Sequence, residues 1–259
     1  MSFRNSPETV AEMLLDATGT GFPIAPPRHL IPGLDLDGAY HIQLLQERAR
    51  QVEGREIAGR KVGLTSQAMQ QQLGVASPDF GFFTRDLVFD SGTEIPVGRF
   101  IAPRVEPELA FILDRDLGAG EDLDSVAGAI RSTHLSIEVI DSRVKEWDIT
   151  LVDTVADNAS GAAVILGPTT DVAVSELPAV RATMFRNGEK AAEGTGADVL
   201  GHPLAPLVWL ADTLAQRDVV LRAGEIVLTG SFCSAVPVAA GDEISVDYGE
   251  YGRLSAIFS

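Results

Sequence analysis

The chain has 259 residues, 45% hydrophobic and 22% charged, enough apolar content for a substantial core and too much for general disorder. Its 20 lysines and arginines against 37 aspartates and glutamates leave a formal charge of −17. That argues against nucleic acid or an anionic membrane as partner, and an acidic substrate would need a local positive charge, such as a bound divalent cation or a buried lysine.

The first predicted element is a helix in NSPETVAEMLLDAT. Ser6 reads as its N-cap, Pro7 as its first helical position, and Val10, Met13, Leu14 and Ala17 fall at helical spacing. The glycines and prolines of GTGFPIAPPRHLIPG then break the pattern. A second helix is predicted from Asp37 to about Val52, with Ile42, Leu45, Ala49 and Val52 on one face. From REIAGRKVGLT onward, short apolar runs such as FIAPRVEPELAFIL, LSIEVI and AAVILG alternate with glycine, proline and aspartate, which is strand texture. A last helix is predicted in HPLAPLVWLADTLAQRD, with Leu207, Leu210, Ala211 and Leu214 aligned, before strands in EIVLTGS, DEISVDYG and GRLSAIFS. The order predicts an α+β fold in one compact unit, with a helical portion over residues 1–58 and a β-rich core over 59–259. The single cysteine, Cys233, allows no intrachain disulfide and is expected to be structural. The start of the chain shows no apolar signal core and no bilayer-length stretch, so a soluble cytoplasmic protein is expected.

The segment PRVEPELAFIL carries the sharpest chemical signal. Glu106 and Glu108 are two residues apart in a strand-like run, so both carboxylates project to one side. Such a pair is most often the solvent face of an edge strand. Here the odd positions read Val105, Leu109, Phe111 and Leu113, and Ala110 and Ile112 follow the acids on their own side. With both faces apolar, a pocket in which a cation sits between the acids becomes an equal alternative. Glu138 lies in a similar apolar run, HLSIEVIDSR, and three carboxylates suit Mg²⁺ or Mn²⁺; no cysteine–histidine pattern with zinc spacing is present.

Other polar residues are weaker signals. Lys61 could clamp an anion or move a proton, although a solvated lysine at a strand start is the default for the residue in isolation. Asp79, between proline and glycine in SPDFGFF, reads by default as a turn residue. Asp157, Asn158 and Ser160 sit in what reads as a small-residue loop before a strand, either as turn chemistry or as donors to a carboxylate ligand. His202 is expected to help start a helix, and His29, His41 and His134 have no usable partner spacing. Neither a G-x-S-x-G elbow nor a phosphate-loop fingerprint appears.

Taken in order, GRKVGLTSQAMQQQLGVASPDFG, PRVEPELAFIL, IEVIDSR, DTVADNAS, GHPLAPLVWLA and AAGDEISVDYGEYGRLSAIF resemble the 2-hydroxypenta-2,4-dienoate hydratase and 2-oxo-3-enedioate decarboxylase family, within the fumarylacetoacetate hydrolase superfamily. The resemblance implies N-terminal helices followed by a mixed β-sandwich or roll, and a divalent metal, Mg²⁺ or Mn²⁺, on Glu106, Glu108 and Glu138. It implies Lys61 and Asp79 as proton-transfer groups, and Leu64, Thr65, Asp157, Asn158 and Ser160 around the substrate. The implied reaction is hydration of a 2-hydroxydienoate from meta-cleavage of aromatic or steroid rings, a hydro-lyase activity. The rival is decarboxylation of a 2-oxo-3-enedioate through the same stabilised enolate; Asp79 in SPDFG and the run VDTVADNAS look nearer the hydratases. Acylpyruvate hydrolysis would need a histidine–glutamate pair that cannot be placed, and a non-catalytic subunit fits poorly with an intact acid set. A homo-oligomer that associates with neighbouring pathway enzymes is expected, with a small 2-oxo acid as partner and no nucleic acid or membrane.

Overall fold

The computed structural model describes residues 5–66, 70 and 77–259, so most of the QAMQQQLGVA part of the first family-like motif lies outside the described residues. Helix α1, Pro7–Thr20, is capped as expected: the Ser6 hydroxyl accepts the Thr9 N–H at 3.3 Å, and Gly21 closes the helix in the left-handed region at φ 75°. A short turn, α2 (Pro27–Leu30), leads to α3, Leu36–Val52, which Asp35 caps by accepting the Gly38 N–H at 2.8 Å.

The buried face of α3 differs from the expected apolar stripe. Val52 is 89% exposed, whereas Gln43, Gln46 and Glu47 are buried. Most of their polar atoms find partners in the core, although the Gln43 amide oxygen is buried without one. The Gln43 amide donates to the carbonyls of Phe80 at 2.7 Å and Val155 at 3.1 Å, and that of Gln46 to Ala156 at 2.7 Å. Glu47 takes both nitrogens of Arg60 at 2.6 Å.

Two mixed sheets follow. The first contains β1 (Ile57–Gly63), β2 (Asp79–Thr84), β3 (Val88–Asp90), β5 (Arg104–Leu113), β6 (Ile130–Ile140), β7 (Gly161–Thr170), β10 (Ile226–Leu228) and β11 (Val236–Pro237). They run in the order β2-β1-β10-β5-β6-β7-β3, with β11 also on β5. The second, ordered β4-β13-β12-β8-β9, contains β4 (Glu94–Ile95), β8 (Arg181–Arg186), β9 (Glu189–Thr195), β12 (Glu243–Asp247) and β13 (Arg253–Phe258). Helices α4 (Leu123–Ala127), α5 (Leu151–Ala156) and α6 (Ala205–Ala215) interrupt them, so the α+β expectation holds. Strand β1 begins at Ile57, two residues before the expected start of the core.

The alternation read in β5 has a physical outcome on each face. Val105, Leu109, Phe111 and Leu113 join the main core, with Leu135 and Ile137 of β6, Ile244 and Val246 of β12, and Val10, Leu14 and Ile42 of the helices. Ala110, on the glutamates' side, belongs to a smaller apolar cluster with Phe83, Val164, Ile226 and Leu228, against which Ile112 packs. One end of that second face is therefore apolar, and the other carries the acids. Among the described residues no helix is long and apolar enough to cross a membrane.

Candidate active site

Strand register assembles the site. Glu106 is the cross-strand partner of Glu138, and Glu108 of Ser136, in the β5–β6 pair. Lys61 is brought in through β1, which pairs in parallel with β10 (Lys61 opposite Leu228), while β10 lies on β5 (Leu228 opposite Ala110). On the other side, β2 sets Asp79 opposite Gly63 and Gly81 opposite Lys61. Opposed residues share a face, so Lys61, Asp79, Glu106, Glu108 and Glu138 all turn inward together.

The glycines in these strands make the space. A Cβ on Gly63 would lie 2.3 Å from Asp79 Oδ1 and 3.0 Å from Lys61 Nζ, and one on Gly81 would lie 2.4 Å from the Asn158 carbonyl oxygen. The result is a cavity of about 410 Å³ lined by Lys61, Asp79, Glu106, Thr154 and Ser160, with Leu64 and Thr65 at its wall. Lys61 and Asp79 are thus neither a solvated strand start nor a turn: both are buried, Asp79 as the first residue of β2.

Ligand oxygens of Glu106, Glu108 and Glu138 lie within 4.8 Å of one another, a grouping that can hold a metal ion. Lys61 Nζ is 3.4 Å from Glu138 Oε1. Burial opposes the ammonium, but Glu138, Asp79, Glu106 and Glu108 outweigh it and hold the Lys61 pKa above its ordinary value. Burial, with Glu138 next, pushes Glu106 up to about 8, against the pull of Lys61. The same two causes raise Glu108 well above the carboxylate range, and burial raises Glu138 and Asp79 against the pull of Lys61. Four carboxylates therefore face one ammonium. Asp79 Oδ1, Glu108 Oε1, Ser136 Oγ and Glu138 Oε2 are buried without a hydrogen-bond partner. Unpaired acid oxygens converging on one space are what a hard cation and an oxygen-rich ligand would satisfy.

The expected substrate-side residues divide. Ser160 reaches the cavity, with its hydroxyl 3.4 Å from that of Thr154, which donates to Asp79 Oδ2 at 3.4 Å. Asp157 and Asn158 are not brought to it. The Asp157 carboxylate receives Arg143 Nε at 2.5 Å and the Arg143 N–H at 3.0 Å, and burial pushes its pKa up to about 6. Asn158 acts as a backbone clamp, accepting the Phe82 N–H at 2.9 Å and donating to the Phe82 carbonyl at 2.8 Å. Their segment is the end of α5 and a tight turn, not an open loop. Asn158, Ala159 and Ser160 have φ of 55°, 48° and 54°, and Leu64, across the cavity, has 56°. Non-glycine residues in the left-handed region cost energy and concentrate where a site needs them.

Several wall residues carried no sequence signal. Trp147, at φ 55°, anchors its indole N–H on the Ala102 carbonyl at 3.1 Å and walls the cavity with Ile149. Glu193 and Asp198 stand at its rim. Cys233 also lines it; burial, with Glu106, Asp198 and Glu193, pushes its thiol up to about 12, so it is neutral at pH 7. A T-x-x-D pattern marks both Thr150–Asp153, just before Thr154, and Thr195–Asp198 as caps, but nothing local ties either to β5. His202 lies just ahead of α6 and accepts the N–H of Leu204, the residue at which the helix begins, at 3.1 Å, but it does not cap the first turn.

A model of the fumarylacetoacetate (FAA) hydrolase C-terminal family matches residues 55–258. The 2-keto-4-pentenoate hydratase 2 of Dechloromonas aromatica is 42% identical over 258 residues, 98% of each chain. The 2-keto-4-pentenoate hydratase of Burkholderia vietnamiensis is 40% identical over 263 residues, the full length of both. Among solved structures, 4-oxalocrotonate decarboxylase from Pseudomonas putida G7, complexed with magnesium and adipate, superposes with a TM-score of 0.94 at 34% identity, over 98% of this chain and 97% of that one. With its three acids, lysine and curled mixed sheets in the order the motifs required, the chain belongs to the fumarylacetoacetate hydrolase family.

Proposed function

We propose that the protein is a metal-dependent hydro-lyase that hydrates 2-hydroxypenta-2,4-dienoate, or a substituted analogue, to the 4-hydroxy-2-oxo acid in meta-cleavage catabolism. The observation that carries this reading is one cavity lined by Lys61, Asp79 and Glu106, with Glu106 grouped beside Glu108 and Glu138, each of which keeps an unpaired oxygen. The hydratase names of relatives at about 40% identity support it.

Glu106, Glu108 and Glu138 are the residues that would hold Mg²⁺ or Mn²⁺. When bound, the ion supplies charge neutralisation and Lewis-acid stabilisation of an enolate. Lys61 stays protonated among its carboxylates and offers N–H donors to the substrate carboxylate or enol oxygen. The dienol takes a proton at C5 and becomes the 2-oxo-3-enoate, whose C4 is electron-poor. Asp79, oriented by Thr154 and with Oδ1 unpaired, accepts from the water that adds at C4, and a proton is delivered to C3. Ser160 and Thr65 supply neutral hydroxyls to the carboxylate end, and Leu64 an apolar wall.

Decarboxylation of a 2-oxo-3-enedioate is the second reading, favoured by the likeness to the decarboxylase structure. Freshly prepared 2-hydroxypenta-2,4-dienoate separates the two. Mg²⁺-dependent loss of dienol absorbance that EDTA stops, with 4-hydroxy-2-oxopentanoate identified by NMR, is the expected result. Ketonisation without hydration, together with CO₂ release from 2-oxohex-3-enedioate, overturns the hydratase reading. Assembly into a homo-oligomer belongs to the same proposal; Phe22 and Val52, 76% and 89% exposed, are apolar surface for it, and light scattering tests it.

A further inference from the structure

The rim of the cavity is held by a close backbone approach and a capped turn. Strand β9 presses on the turn that lines the opposite wall: a Cβ on Gly194 would lie 1.8 Å from the Phe232 carbonyl oxygen and 3.3 Å from Cys233 Cβ. Only glycine allows that approach, and it sets the neighbouring Glu193 at the mouth. Two residues beyond Gly196, Asp198 is fixed by its own cap, with one carboxylate oxygen receiving the Thr195 N–H at 2.8 Å and the Thr195 hydroxyl at 2.9 Å. The same turn is tied to the floor, since the Leu200 N–H donates to the Thr65 carbonyl at 3.0 Å.

Positive charge among the described lining residues is confined to one end of the cavity. Among the described lining residues the only cation is Lys61, at the inner end and engaged with Glu138. Around the mouth stand Trp147, Ile149, Cys233 and Ser234, all neutral, and then the two acids. Lys190, 2.7 Å away, and Arg181, 3.7 Å away, partly offset Glu193. Asp198 has neutral donors only in its described hydrogen bonds, so among the described residues no ion pair offsets its charge where it lines the cavity. On the Trp147 wall, Arg104 stacks on the ring at 4.5 Å and lines the adjoining cavity.

We propose that Asp198 and Glu193 restrict this site to 2-oxo acids whose far end is uncharged, by repelling a second carboxylate at the mouth. The inference rests on the proposed substrate class and adds its selectivity. A substrate bound by its 2-oxo-carboxylate end at the acid cluster directs its other end outward, past apolar walls toward two anions. Discrimination by a repulsive group needs no extra contact to the favoured ligand, and charges at the solvent edge act over about one Debye length, roughly 10 Å at 0.1 M salt.

The test uses two probes of equal length, 2-oxohexanoate and 2-oxoadipate, which differ only in a terminal methyl against a terminal carboxylate. Their dissociation constants are measured by calorimetry on the Mg²⁺-loaded protein at low ionic strength. We expect 2-oxoadipate to bind more weakly than 2-oxohexanoate. The ratio of the two constants should fall on the order of fivefold in the double variant Glu193→Gln, Asp198→Asn, as expected for removing charges at the edge of solvent. The amide oxygen introduced by Asp198→Asn keeps an acceptor for Thr195, and melting curves verify the fold. The wild-type ratio should also fall as NaCl is raised to about 0.5 M, where screening is strong. A wild-type ratio at or below one, or a ratio that the double variant leaves unmoved, whatever the effect of salt, while 2-hydroxypenta-2,4-dienoate is still hydrated, overturns this inference alone. Absence of binding by either probe together with absence of hydration overturns the underlying reading and this inference with it.

Discussion

Lys61 and Gly63 test the site at the scale of single residues. Lys61→Met removes the one ammonium among four carboxylates, and we expect turnover to fall at least about 100-fold, the usual scale for a lost proton-transfer or charge-stabilising group. The melting temperature of the Mg²⁺-loaded variant should change by only a few degrees; activity within threefold of wild type would remove Lys61 from the mechanism. Glu108→Gln should abolish Mg²⁺-dependent turnover while far-ultraviolet circular dichroism stays unchanged, and near-normal activity with added Mg²⁺ would sink the metal assignment. Gly63→Ala acts differently. Its methyl group would meet Asp79 Oδ1 at 2.3 Å, a side-chain tip and not backbone, so the strand pairing can be kept only if Asp79 leaves its place in the site. Turnover should therefore drop far more than thermal stability. The glutamate pair is legible in sequence because strand parity is local. The role of Gly63 is not, because what its missing Cβ would strike comes from a different strand.

Between elements, two buried polar side chains tie distant parts of the chain together. Tyr248, after β12, places its hydroxyl 2.8 Å from the Glu108 carbonyl and 2.9 Å from that of Ser136, joining the second sheet to the β5–β6 pair that carries the acids. Burial raises its pKa well above the ordinary value, so it stays a neutral donor. Tyr248→Phe leaves both carbonyls without this donor and should cost about 1–3 kcal/mol in denaturant unfolding. Asp153 is the second link. It accepts the Arg28 N–H at 2.9 Å, the Thr150 N–H at 2.8 Å and the Thr150 hydroxyl at 2.7 Å, and it pairs with the Arg28 guanidinium, so α2 is fastened to the start of α5. Burial works against the Asp153 charge, but these donors prevail and hold its pKa below the ordinary value. A lowered folded-state pKa gives stability that is fully present above the unfolded value, about 3.9, and is lost as pH falls through the folded one. Asp153→Asn should thus destabilise at pH 7, and the gap to wild type should narrow as pH falls below the unfolded value of about 3.9; a gap independent of pH would show that the charge is not the cause.

Across the whole molecule, the main core contains residues of α1, α3 and both sheets, so helices and strands are expected to melt together. We propose that residues 1–58 do not unfold separately, and one cooperative calorimetric transition with matching near- and far-ultraviolet signals tests this. Divalent metal should shift that transition. The four inward carboxylates oppose one another, and an ion that binds only the folded state stabilises it by about 2.7 kcal/mol at 100 times its dissociation constant. Mg²⁺ or Mn²⁺ should raise the melting temperature and EDTA reverse the rise, while Glu108→Gln should no longer respond. The formal charge of −17 adds to the need for such an ion, since an anionic ligand approaches a surface that repels it.

Element types, helix caps and the inward acids of β5 are written in local pattern: a period of two or 3.6, a serine before proline, apolar neighbours on both sides of a glutamate. These need only the residues within a turn or a strand, which is why they can be read along the chain. The long motifs also carried the family. What lies between strands could not be read that way. That Glu138 falls opposite Glu106, that parallel pairing with β10 carries Lys61 to the acids, and that Asp157 turns to Arg143 instead of the cavity depend on register. Gln43 and Gln46 break the expected apolar stripe of α3 because their partners are carbonyls of β2 and α5. Each of these is decided by which distant backbone or charge satisfies a buried polar group, and only the assembled structure supplies that partner.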